Sequence, residues 1–170
     1  YSSTAGPVTI DAALMTGLET IKLGASTITG DLALSNVTGI LTASMANGLG
    51  DLGIGYTAAT IAGTNDVQTV ALSNVTGGAF TANGVETIEV TGSLTKNTLT
   101  AVTGNKLKSV TVTGDQDFVI TNALAATVTT VYGSAATGKL TFGMSAGGNA
   151  TITGGSAADT IDMAGGLTRK

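Results

Sequence analysis

A parallel β-solenoid is the fold this sequence predicts, and three observations predict it. About a third of the 170 residues are Gly or Thr, and only 4% are aromatic, so the core must be built in thin layers of Val, Ile, Leu and Ala. Branching at Cβ favours extended backbone, and Gly marks where the chain turns. A repeat of about 20–22 residues runs through the chain with two or more short strands in each copy. Within the strands apolar residues alternate, as in Val110-Thr111-Val112 and Ile88-Glu89-Val90, so one inward row can rest on the next.

The elements follow in order. The segment IDAALM (10–15) has the composition of one helical turn. GLETIKLGAS (17–26) matches GVETIEVTGS (84–93), and LALSNVTG (32–39) matches VALSNVTG (70–77). Between them ASMANGLGDLGIG (43–55) is looser and reads as a bulged turn or loop. From residue 84 the repeat is regular. VETIEVTG (85–92), LKSVTVTG (107–114), TVTTVYGS (127–134) and NATITGGS (149–156) form one series. TLTAV (98–102), DFVIT (117–121), KLTFG (139–143) and DTIDM (159–163) interleave as a second. One domain over 1–170 is expected, less regular over 1–83 and regular over 84–163. An antiparallel sandwich is the competing fold for strands this short, but a sandwich does not require a sequence repeat. The chain begins at Tyr1 and ends Arg169-Lys170, so it reads as a piece of something longer. A solenoid cut at both ends should stack end to end, because its terminal strands are unpaired edges.

Composition excludes several functions. With a net charge of −4 and no basic cluster to neutralise phosphates, nucleic acid is not an expected partner. Its apolar runs fall far short of the roughly 20 residues of a membrane span. The absence of Cys removes disulfides and thiolate chemistry, and the absence of His removes the usual general base. Neither a G-x-S-x-G elbow nor a P-loop is present, and the acids are scattered over turns, so catalysis is not expected. Thr-x-Thr pairs at 27/29, 98/100, 111/113, 127/129 and 151/153 invite comparison with Thr-faced ice-binding solenoids. That row breaks where SVTVTG gives way to TTVYGS, at Tyr132 and Gly133. Asn-x-Thr occurs at Asn36, Asn74 and Asn149, where ordinary turn chemistry accounts for it.

The acidic turns are the candidate sites. In TITGGSAADTID (151–162), Gly154, Gly155, Ala157 and Asp159 follow the pattern Gly-Gly-x-Gly-x-Asp-x-apolar, with Ala157 at the third Gly and Ile161 as the anchor. Such a loop turns carbonyls toward a shared point and adds a carboxylate, the hard oxygens that calcium takes. The next Gly pair, Gly165-Gly166, comes eleven residues on and is followed by LTRK, without an Asp. Asp159 can equally cap a Gly-rich turn. Asp115 and Asp117 stand two apart at a strand entry, as a weak calcium pair or a solvated turn.

These residues, from GVETIEVTGS through LKSVTVTGD and FVITNALAATVTTVYGSAATGKLTF to GGNATITGGSAADTI, resemble bacterial surface-layer proteins with RTX-type calcium-binding repeats, exported by type I secretion. The resemblance is good over 84–163 and one of style over 17–83. It implies a right-handed solenoid, a secreted protein of the cell surface, assembly with copies of itself, calcium as the ordering ion, and attachment to surface polysaccharide through other parts of a full chain. A secreted RTX-type adhesin or matrix filament is the alternative.

Overall fold

The structure, a computed structural model, describes residue 1, residues 6–146 and residues 149–163. The chain winds through seven coils. Coil one holds β1 (Val8–Asp11) and β2 (Thr20–Gly24), coil two β3 (Leu32–Val37) and β4 (Thr42–Ala46), coil three β5 (Leu52–Tyr56) and β6 (Val67–Ser73). Coil four holds β7 (Ala79–Asn83) and β8 (Thr87–Ser93). Coil five holds three strands, β9 (Asn97–Leu99), β10 (Ala101–Thr103) and β11 (Ser109–Gly114). Coils six and seven hold β12 (Phe118–Ile120) with β13 (Thr130–Ala136) and β14 (Leu140–Met144) with β15 (Thr151–Thr153), and β16 (Thr160–Met163) opens an eighth. The described residues contain no helix, and every pairing between these strands is parallel. This is the all-β solenoid that the repeat predicts.

Three sheets line the rod. One, in the order β15-β13-β11-β8-β6-β4-β2, runs through all seven coils and is called the continuous sheet below. The opposite wall is split into β1-β3-β5-β7-β10 and β16-β14-β12-β9. Their junction is coil five, where β9 and β10 follow one another with only Thr100 between. The segment read as a single strand, TLTAV, is therefore divided between two sheets.

Alternation in each strand sends one row inward, and register stacks these rows. On the continuous sheet Ile88, Val110, Val131 and Ile152 lie above one another, and on the first wall Leu32, Leu52, Phe80 and Val102 do the same. Phe80, Leu52 and Ile88 are fully buried. Each such side chain contributes about 1.5–3 kcal/mol by leaving water. Two inward positions are polar. Asn97 is completely buried, yet its Oδ1 accepts the Val75 amide at 3.0 Å and its Nδ2 donates to the carbonyls of Ser93 (3.1 Å) and Thr95 (2.8 Å). Gln68, also completely buried, donates to the Leu41 carbonyl at 2.9 Å and accepts from the Tyr56 hydroxyl.

The N-terminal half winds on the same plan, with a register shift between Leu34 and Val37 and one insertion. Thr20 stacks on Thr42 and Val70 on Val90, spacings of 22 and 20, whereas Ala43 stacks on Val70, 27 residues on. The extra length lies in residues 57–66, between β5 and β6. The looser stretch 43–55 comprises most of β4, a turn at Asn47 (φ +53) and most of β5. Residues 10–15 form no helix: Ile10 and Asp11 end β1, and a single turn closes from the Met15 amide to the Ala12 carbonyl. Leu14, 93% exposed, has no core to enter.

Register corrects three sequence alignments. LALSNVTG and VALSNVTG lie on different sheets, as β3 and β6. Ile21 leads through Ala43 and Val70 to Val90, two residues from its match at Ile88, a shift that keeps the inward side inward. Ser109 pairs with Thr130, so the third repeat starts at 128 rather than 127. Further along β13 the register slips by one more residue, since Thr111 faces Tyr132 but Thr113 faces Ala135, a β-bulge at Gly133 and Ser134. Tyr132 stacks between Thr111 and Thr153 and interrupts the Thr row.

One corner shows a device that the repeat search did not detect. Gly24, Ala46, Ser73 and Ser93 stack, and the residue after each, Ala25, Asn47, Asn74 and Leu94, has positive φ, from +43 to +66. Asn suits this conformation, while Ala and Leu bear its steric cost. Phe80→Ala removes the largest fully buried side chain. It should lower unfolding free energy by about 3–5 kcal/mol in urea denaturation followed by circular dichroism.

Candidate functional site

Carboxylates and amides at the strand entries form the most repetitive polar feature of the molecule. Asp31, Asp51, Asp117 and Asp159 each immediately precede a strand of the split wall. The Asp31 carboxylate accepts the amide of Asp51 at 2.8 Å, and Asp51 accepts that of Ala79 at 2.7 Å. Asp117 accepts the amide of Lys139 at 2.9 Å. Asp159 reaches the other way, to the amide of Leu140 at 2.8 Å. A coil's turn leaves amides that cannot join the ladder, and a short acidic side chain on the adjacent coil supplies the acceptor. Gly30-Asp31 and Gly50-Asp51 carry this signal in the sequence, where each reads as an isolated acidic turn.

The candidate calcium loop is built on the same device. The second oxygen of Asp159 accepts the Gly155 amide at 2.8 Å, so the carboxylate folds back over its own turn. A Cβ on Gly154 would collide with that carboxylate, and one on Gly155 with the Ala136 carbonyl. Both glycines are thus required for close approach. Neither has positive φ, and Ala157 is not among the left-handed residues. Gly165 and Gly166 lie outside the described residues. Both Asp159 oxygens serve backbone amides, and among the described residues no three acidic side chains converge on a point. A calcium ion placed here would share Asp159 with the turn and draw on neighbouring carbonyls.

At the weaker pair, the chain bends at Asp115 and Gln116 after Gly114, whose φ is +109. Asp115 and Asp117 are both exposed but do not share an extended segment, and Asp117 is committed to Lys139.

Two further polar groupings escaped sequence reasoning because their members are distant in the chain. An open groove of about 380 Å³ is lined by Glu86, Asn105, Lys106, Lys108 and Thr127. Glu86 is buried there, and its Oε2 accepts the Asp66 amide at 2.9 Å, while Oδ2 of Asp66 is buried without a hydrogen-bond partner. The second grouping is the Tyr56–Gln68 pair, in which burial pushes the Tyr56 hydroxyl up to about 12. At the first coil the Asn36 side-chain amide and the Ala13 backbone amide hold the Asp11 carboxyl below its ordinary value.

No family model, curated protein or solved structure matches this chain.

Two outcomes follow from these groups. Asp159→Ala leaves the Leu140 and Gly155 amides without their acceptor and should cost about 1–2 kcal/mol, read from the urea midpoint. The Tyr56 hydroxyl is raised from an unperturbed 10.0, so the unfolded chain releases this proton first. Its contribution to stability is therefore complete below pH 10 and falls as pH rises toward 12. Ultraviolet titration should show one tyrosine ionising near 12, and Tyr56→Phe should remove that step.

Proposed function

We propose that this chain is a structural, non-catalytic protein of the bacterial cell surface, secreted and assembling with copies of itself as a component of a surface-layer lattice. The observation that carries this reading is a regular all-β solenoid whose coils are joined by parallel ladders, with no helix among the described residues. The strand-entry carboxylates support a structural role, since four of them serve the coil beside them. The resemblance of residues 84–163 to surface-layer proteins with RTX-type repeats supports the location and the lattice. Calcium belongs to this proposal as the ordering ion, with Gly154, Gly155, Ala157 and Asp159 as a partial loop and Asp115 and Asp117 as a weaker pair.

The same fold suits a second reading, a filament-forming matrix protein or adhesin, because a solenoid is a rod of stacked coils. Electron microscopy of the purified protein, with calcium and then with a chelator, separates the two. Ordered two-dimensional arrays that dissolve in chelator are the expected result. Isolated fibres would favour the second reading, and a monodisperse monomer indifferent to calcium would overturn both.

A further inference from the structure

The outward side of the continuous sheet carries two charged side chains on all seven of its strands, Lys22 on β2 and Glu89 on β8. Its other outward positions are almost all Thr, Ser and Ala, so the face is flat and nearly uncharged. Lys22 and Glu89 are both exposed, and neither has a hydrogen bond or ion pair from its side chain among the described residues. Strands β4 and β6 lie between theirs. At about 4.8 Å per strand this places the two backbones about 14 Å apart across the sheet, too far to pair within one molecule. In register Lys22 lies in line with Thr91, two residues along the strand from Glu89.

Two opposite charges on one flat face make that face complementary to itself. A twofold axis lying in the plane of the face, midway between the two side chains, exchanges their positions. Each Lys22 then meets the Glu89 of the second copy, and small residues of β4 and β6 (Ser44, Thr69 and Ala71) meet at the centre. We propose that this half of the continuous sheet is an isologous contact for a second copy of this chain, held in register by two reciprocal Lys22–Glu89 pairs. Coils one to four overlap in this arrangement, while coils five to seven extend beyond it. Four strands about 20 Å long give about 400 Å² per copy, or about 800 Å² in total, the area of a weak and salt-sensitive pair. The contact is lateral, and it rests on the self-association proposed above only for its biological setting.

Sedimentation equilibrium of the 170-residue chain at concentrations up to about 1 mM tests the contact. The wild type should form a reversible dimer that weakens with added salt. Lys22→Glu and Glu89→Lys should each weaken it at least about tenfold, because each sets like charges face to face. An equimolar mixture of the two variants should dimerise again, since one face is then doubly negative and the other doubly positive. Tyr132→Ser, on the same sheet but beyond the overlap, should leave the dimer unchanged. A wild type that stays monomeric, a dimer indifferent to charge reversal, or equal weakening by Tyr132→Ser would each overturn the proposal. Circular dichroism of these surface variants verifies the fold. A charge-dependent dimer without arrays under the microscope would remove the surface-layer reading and leave this contact standing.

Discussion

The constraint on which the rest depends is that each coil must satisfy its backbone on the coils beside it. A strand of three to seven residues has no partner within its own coil, so all of its ladder bonds point along the rod. Turn amides face the same demand without a ladder, and here the side chains enter. Asp31, Asp51, Asp117 and Asp159 answer it at one corner, Asn97 answers it from inside the core, and the left-handed residues 25, 47, 74 and 94 aim the chain into the next coil. The sparse charge of the chain follows from this economy. Six of its eleven acids accept backbone amides, and the strands are left mainly to Thr, Val, Leu, Ile and Ala.

The fold was legible because period and alternation are properties of the chain itself. VETIEVTG and LKSVTVTG stack in the register that their sequences suggest, Thr87 on Ser109. Misreadings fall where the physics is not local. Identical words occupy different sheets in β3 and β6, since LSNV requires only an extended strand followed by a turn, and both walls offer one. A bulge in β13 moves the end of the third repeat by one residue more than its start, and its signal, Gly133, looks the same as any turn glycine. The helical turn expected at 10–15 follows from Ala-Ala-Leu-Met composition, which cannot report that no apolar surface awaits Leu14.

The polar sites were legible only in part. Gly-Gly and Asp159 could be recognised as a turn closed by a carboxylate, and that is the geometry found. What no spacing could reveal is which amides that carboxylate would meet, because Leu140 belongs to the previous coil. The same holds for Asp66 with Glu86 and for Tyr56 with Gln68. In each pair the partners come from consecutive coils or from the two ends of the insertion in coil three, and their contact exists only once the winding is known. A solenoid conceals its polar network from the sequence more thoroughly than its core, since the core repeats and the network does not.

Coil five, where β9 and β10 are divided by Thr100 alone, gives the molecule an internal splice. Each coil touches mainly its two neighbours, so stability accumulates coil by coil, and winding can begin in either half. On the split wall the two halves present strands that are offset along the coil, and a growing stack from one side cannot pass directly onto the other. Only residues 97–103 engage both, with one flank on β7 and the other on β12. The two halves can therefore be varied in length or composition with considerable independence, so long as this one coil continues to present both flanks.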